Sequence, residues 1–399
     1  MRKIRILRII ARLNIGGPAI HTILLTEGLD NKQFESLLVC GSTDKYEGDM
    51  FYYAREKGLN PIYIPELKRE LNFFNDIIAF KKIYKIIKNE NPNLIHTHTA
   101  KAGTLGRLAG ILYNLFTHPN KRVKLIHTFH GHVFSGYFNI LQTKIFILVE
   151  RFLGSFSYKI ITVSESVKKE LLSLHICKED KIEVIPLGFE LNKFLVIPSR
   201  NSAVLSVGII GRLVPIKNHR LFLEAAAKVF ADLPALRLEF KIIGDGKLRK
   251  ELEEYARRLN MVSTVNFLGW QQDLVSVYSG LDIVALTSLN EGTPVSLIEA
   301  MASGRAVVTT DVGGVRDLLG KEINVANKLK GDFKVMERGI MVKSRNYFNF
   351  ANALIFLLQN KKLREDIGLE AKNFVKDNFR KERLIKDIEN LYKNIMICT

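Results

Sequence analysis

The chain has 399 residues, 47% of them hydrophobic and 25% charged, with three cysteines and a net charge of +18. That length exceeds one ordinary hydrophobic core, so two domains are expected, and the composition excludes a disordered or collagen-like chain. Cys40, Cys177 and Cys398 are scattered and form no C-x-x-C, which argues against a disulfide framework or a structural zinc and fits a reducing cytosol.

Met1 to Ile10 begins like a signal peptide, but Arg8 and Arg12 interrupt the apolar stretch and no small-residue cleavage site follows. A buried first strand over 4–11 is predicted instead. Further strands are predicted at 36–40, 61–64, 93–97, 123–128, 159–163 and 182–185. Residues 195–202 have the composition of a linker. Strands then resume at 203–210, 237–243, 264–268, 282–287 and 305–309, and a Lys- and Glu-rich helical region covers roughly 362–397. Strands alternating with helices predict an α/β chain with parallel sheets. The expected division is a first Rossmann-like domain over 1–195, a second over 203–378, and a terminal helical segment, 379–399. No uninterrupted apolar run is long enough to span a bilayer, so a soluble or peripheral protein is expected.

The positive excess peaks between Lys68 and Lys124, with eleven Lys/Arg against three Asp/Glu. Anionic lipid or a polyphosphorylated ligand would suit it, as would a merely solvated surface. Nucleic acid suits it least, because no helix-turn-helix, RNA-binding signature or zinc-finger spacing accompanies the charge. In the same region Phe73, Ile77, Phe80, Tyr84 and Ile87 form a stripe at helical spacing beside Lys81, Lys82, Lys85 and Lys88. A helix packed on its sheet is expected; an interfacial helix on an anionic membrane is the alternative, with Tyr137, Phe138, Phe146, Phe152 and Phe156 assisting.

Several loops carry chemistry. Gly16 and Gly17 follow the first strand and permit close backbone approach to a ligand. His96, His98, His127, His130 and His132 are five of the nine histidines. His96-Thr97-His98 on a strand puts both rings on one face, a metal-site pattern, but no acidic residue accompanies the group and no metal is expected. Lys101 and Arg107 sit in a glycine-punctuated stretch; acceptor phosphate and plain surface charge are equally good readings of them. Gly211-Arg212-Leu213-Val214-Pro215-Ile216-Lys217 follows the first strand of the second domain, where a guanidinium and an ammonium suit a diphosphate. Glu291 lies on a loop entering a helix, Pro294 suits the first helical position, Glu299 lies within the helix and Gly304 suits its end. A helix N-terminus offers unpaired N–H groups to an anion.

Taken together and in order, these motifs resemble family 4 of the retaining glycosyltransferases, which have the GT-B fold and an E-x7-E motif like Glu291 to Glu299. The resemblance also takes in His127-Thr128-Phe129-His130-Gly131, Val184-Ile185-Pro186-Leu187-Gly188 and Phe267-Leu268-Gly269, and covers nearly the whole chain. It implies two Rossmann-like domains facing across a cleft, with the last helix returning to the first. It implies that Glu291 holds donor sugar hydroxyls, Glu299 the ribose, and His130 the donor sugar or reacting centre. Arg212 and Lys217 would neutralise the leaving diphosphate, with no metal and no cofactor. Gly16, Gly17, Gly292, Thr293, Pro294 and Val295 would line the sugar and phosphates, and Gly244, Leu268 and Gly269 the base. The chain departs from the family at Leu187-Gly188-Phe189-Glu190, at Asn290 and at Thr293, where many relatives have Asn-Gly-Ile-Asp, an acid and an aromatic; these touch donor identity.

The expected activity is transfer of a sugar from a UDP-linked donor to a hydroxyl of a lipid-linked saccharide, in surface polysaccharide assembly at the inner face of a membrane. The alternatives are a sugar-nucleotide epimerase on the same fold and a non-catalytic sugar-nucleotide-binding protein. No D-x-D occurs, which argues against a metal-dependent enzyme of the other major glycosyltransferase fold.

Overall fold

A computed structural model describes residues 3–44, 48–131, 140–325, 331–343 and 346–397. His132, Tyr137, Phe138 and Cys398 lie outside the described residues. The chain divides into two compact units, Met1–Phe189 with Lys381–Thr399, and Glu190–Arg380.

The first unit holds seven parallel strands: β1 (Ile4–Ile10), β2 (Phe34–Gly41), β3 (Ile62–Ile64), β4 (Leu94–His98), β5 (Lys124–Phe129), β6 (Lys159–Thr162) and β7 (Ile182–Val184). They pair in the order β3-β2-β1-β4-β5-β6-β7. β4 is buried along its whole length although its last three residues, His96, Thr97 and His98, are polar. The helix Lys381–Ile397 belongs to this unit. Its Leu384, Ile385, Ile388, Leu391, Tyr392 and Ile395 recur at helical spacing and pack with Ile6, Leu25, Phe34, Leu94, Ile126 and Ile161. Lys381 Nζ stands 2.6 Å from Glu27 Oε2 at the start of that contact.

The second unit holds β8 (Leu205–Ile210), β9 (Leu238–Ile243), β10 (Val265–Gly269), β11 (Ile283–Leu286), β12 (Ala306–Thr310), β13 (Phe333–Met336) and β14 (Gly339–Val342), in the order β10-β9-β8-β11-β12-β14-β13. β13 runs antiparallel to β14, so the sheet is parallel except at one edge. The segment read as a linker, 195–202, is anchored to this unit: Ile197 is buried, the Pro198 carbonyl accepts from the Arg305 guanidinium at 2.8 Å, and Arg200 pairs with Asp282.

The helix Phe73–Glu90 buries Ala79, Ile83 and Ile87, a stripe rotated from the one the sequence suggested. Phe80 and Tyr84 pack partly against the core, whereas Phe73 and Phe74 are 74% and 76% exposed. No helix among the described residues is long and apolar enough to cross a membrane.

Candidate active site

In a doubly wound sheet a ligand binds outside the carboxyl ends of the strands, where strand order reverses. In the second unit that point lies between β8 and β11. The loops following these two strands are joined there. Lys217 Nζ pairs with Glu291 Oε1, and Ser288 Oγ donates to the same oxygen at 2.6 Å. Leu289 N donates to the Ile216 carbonyl at 2.8 Å, and Thr287 Oγ1 to the Lys217 carbonyl at 3.0 Å. Arg212 shares the Lys217 loop and is half-buried. Gly244 has φ +126, and a Cβ there would come within 2.1 Å of the Gly211 carbonyl oxygen, so the β9 loop lies flush against the β8 loop only with glycine. Gly244 N donates to the Gly269 carbonyl at 2.8 Å, which brings the β10 loop and the half-exposed Leu268 alongside.

The helix after β11 runs Val295–Ala302 with Pro294 at its N-cap, one position earlier than the sequence suggested. Proline's fixed φ serves either place, and here its extended ψ turns the chain into the helix. Gly304 follows the helix at φ +68, the left-handed position expected of it. Gly292 is anchored by Gly314 N, which donates to its carbonyl at 2.9 Å. The Thr293 hydroxyl oxygen is buried without a hydrogen-bond partner. Glu299 Oε2 accepts from the Tyr278 hydroxyl at 2.9 Å. Burial pushes the Glu299 carboxyl up to about 7, against the opposing pull of that hydrogen bond and of Lys193.

In the first unit the order reverses between β1 and β4. Gly17 opens the helix Gly17–Gly28, and Ile20 N donates to the Gly16 carbonyl at 3.3 Å. His98 ends β4, His130 follows β5, and His21 stands one helical turn after Gly17. His98 Nδ1 lies 3.0 Å from His130 Nε2. His21 meets both rings edge-on. Burial holds His130 down at about 3 and keeps His21 and His98 well below the ordinary imidazole value, so all three are neutral near pH 7. Thr99, directly after β4, has φ +68, a conformation a β-branched residue adopts only when its surroundings impose it.

One expectation needs correction. Arg107 does not face an acceptor: it is fully buried in the helix Ala100–Leu115 and pairs with the equally buried Glu150 at 2.7 and 2.8 Å. The glycines around it lie inside that helix, where Gly103 lets the helix approach His127; a Cβ would come within 2.5 Å of that ring. Lys101 is largely covered and pairs with Asp76 at 2.5 Å.

Two family models cover most of the chain. Residues 15–193 match Glycosyltransferase Family 4, and residues 205–360 match Glycosyl transferases group 1. The chain belongs to glycosyltransferase family 4. This glycosyltransferase is 27% identical, over 93% of its length and 92% of the relative's, to the UDP-Gal:alpha-D-GlcNAc-diphosphoundecaprenol alpha-1,3-galactosyltransferase of Escherichia coli. It is 22% identical to a capsular polysaccharide biosynthesis glycosyltransferase of Staphylococcus aureus, over 84% of this chain and 85% of the other. The Anabaena protein HepE, solved with UDP and glucose, has the same fold at a TM-score of 0.77 and 18% identity, over 97% of this chain and 99% of HepE. Sucrose-phosphate synthase from Thermosynechococcus elongatus aligns over the whole of both chains at a TM-score of 0.79 and 19% identity. The fold of this glycosyltransferase is therefore GT-B. Sequence reading missed His21, Tyr278 and Ser288. His21 had a signal, its place four residues after Gly17 on the same helical face; the other two had none.

Proposed function

We propose that this glycosyltransferase moves a sugar, with retention of configuration, from a UDP-linked donor to a hydroxyl of a lipid-linked saccharide in surface polysaccharide assembly. The observation that carries the reading is the Lys217–Glu291 pair at the order reversal of the second sheet, which sets a cation and a carboxylate side by side. Lys217 and Arg212 stabilise the departing diphosphate in place of a metal ion. Glu291 accepts hydroxyls of the donor sugar, and Glu299 those of the ribose. The backbone of Gly292 to Val295 and the unpartnered Thr293 hydroxyl meet the sugar and phosphates. Gly244, Leu268 and Gly269 line the base. In the first unit Gly16 and Gly17 admit the diphosphate, and the neutral His130 ring meets the sugar.

The chemistry follows from these roles. The bond from the anomeric carbon to the diphosphate oxygen breaks through an oxocarbenium-like state. The acceptor oxygen bonds to the same face, and its proton passes to an oxygen of the leaving phosphate. The full-length relative named for a UDP donor and a polyprenyl-linked acceptor supports this donor and acceptor class.

A lipid-linked acceptor places the work at the inner face of the cytoplasmic membrane. Leu71, Phe73, Phe74, Ile77 and Ile78 are exposed at the start of the Phe73–Glu90 helix, and Lys81 and Lys85 are exposed further along it. Ile140, Leu141, Ile145, Leu148, Phe152 and Phe156 are exposed on the helix Ile140–Phe156. Both surfaces suit an anionic bilayer interface.

The test offers UDP-, GDP- and ADP-sugars with a polyprenyl diphosphate-linked sugar, in the presence of a chelator, and follows nucleotide release. UDP release that depends on the acceptor, with an α-linked product from an α-linked donor by NMR, is expected. Release without acceptor points to the epimerase class. Tight donor binding without release under any condition points to a binding protein.

A further inference from the structure

Five described histidines crowd the carboxyl end of the first sheet or the helix beside it, and they are of two kinds. His96 and His127 are tied into the fold. His96 Nδ1 lies 2.5 Å from the Tyr392 hydroxyl and its Nε2 2.7 Å from Thr128 Oγ1, while His127 Nδ1 lies 2.8 Å from Thr97 Oγ1. The side chains of His21, His98 and His130 have no hydrogen-bond partner outside their own group. One nitrogen from each lies within 4.8 Å of the other two, and their ring centres are 5.0 to 5.7 Å apart. Apart from the contact between His98 and His130, both nitrogens of His21, Nε2 of His98 and Nδ1 of His130 are buried without a partner.

A neutral imidazole carries one N–H and one lone pair. The single His98–His130 hydrogen bond uses one of each, so buried donors and lone pairs remain unmatched whichever tautomers are chosen. Such groups oppose folding unless something else meets them. A tetrahedral ion with metal–nitrogen bonds of about 2.0–2.1 Å holds its ligand atoms about 3.3 Å apart. The His98–His130 separation of 3.0 Å is close to that edge.

We propose that His21, His98 and His130 form a binding site for a divalent late transition-metal ion, with a fourth position left for water. The donor set names the class of ion. Three imidazoles and no carboxylate favour zinc, copper, nickel or cobalt, and offer little to magnesium or calcium, which want oxygen. Among the described residues this is the group of His, Cys, Asp and Glu side chains so arranged. The site is separate from the diphosphate chemistry assigned to Lys217 and Arg212 but shares His130 with the proposed sugar contact, so a bound ion and a donor sugar compete for that ring; the metal binding itself does not rest on the transferase reading.

The test uses the full chain, stripped with a chelator and titrated with Co2+, whose visible absorption reports low-coordinate nitrogen ligation. Zn2+ is then added to displace it. One equivalent of Co2+ with an intense visible band, displaced by Zn2+ and unaffected by excess Mg2+, is expected. Outer-shell substitutions alone cost about 10–100-fold in metal affinity, so His21→Ala and His98→Ala each weaken binding by about 100-fold or more. The exposed His118→Ala leaves it unchanged. Melting curves in chelator establish that each variant is folded, and His21→Gln serves if His21→Ala is not. No band at one equivalent, or a band that survives in folded His21 and His98 variants, overturns the proposal.

Discussion

Lys217 and Glu291 pair with each other in the resting protein, so under the proposed function a diphosphate must draw the ammonium away from a carboxylate before it can be held there. The pair is partly exposed and therefore adds little to stability. Lys217→Ala is expected to lower nucleotide release by about 10²–10³-fold, while the melting temperature barely moves. Equal losses of activity and stability would show that the pair serves the fold. Glu299 behaves differently. Its folded value, about 7, lies above the ordinary carboxylate value, so the native state binds more protons than the unfolded chain between those two values. Stability contributed by the protonated form is present below that window and declines as pH rises through it. Glu299→Gln should remove that part of the slope, read as denaturant midpoints at pH 5 and pH 8; an unchanged slope would place the carboxyl outside the titration. The placement of Lys217 after β8, and of Glu291 and Glu299 before and within the helix Val295–Ala302, was legible because the strand end, the proline and the closing glycine mark those turns. Arg107 was misread because a sequence does not show that a guanidinium has a buried carboxylate, 43 positions later, within reach.

Elements show where local pattern suffices and where it stops. All twelve predicted strands are present; β11 and β12, buried throughout, announce themselves by apolar runs, whereas β10 alternates between covered and exposed residues. The hairpin of β13 and β14 was missed because Lys334 and the charged turn Glu337-Arg338 break up its apolar run. The helical stripe of Phe73 was misphased because aromatic residues were assumed to face inward. Their exposure makes a prediction. Phe73→Ser with Phe74→Ser should weaken co-sedimentation with anionic vesicles and leave nucleotide release from a detergent-dispersed acceptor intact; unchanged sedimentation would remove this helix from the membrane reading. The Arg107–Glu150 pair joins two helices inside the first unit. Removing one partner leaves the other charged and buried, so Arg107→Ala should cost about 3–5 kcal/mol in denaturant unfolding, and Arg107→Met with Glu150→Leu far less. A small loss in the single variant would mean that Glu150 takes up a proton or reaches water.

At the scale of the whole molecule, the two units have similar sheets but different continuity along the chain. The second is one stretch, Glu190–Arg380; the first is closed by a helix nearly two hundred residues beyond its own end. That helix brings Tyr392, whose hydroxyl meets both Arg8 and His96 in the interior. During synthesis the later-encoded unit therefore emerges complete while the earlier one still waits, its apolar seam of Ile6, Leu94, Ile126 and Ile161 uncovered. A premature stop near the end of the message would spare the nearer unit and cripple the distant one. Pulse proteolysis of ribosome-bound chains ending at residue 380 should find the second unit resistant and the first still open to cleavage.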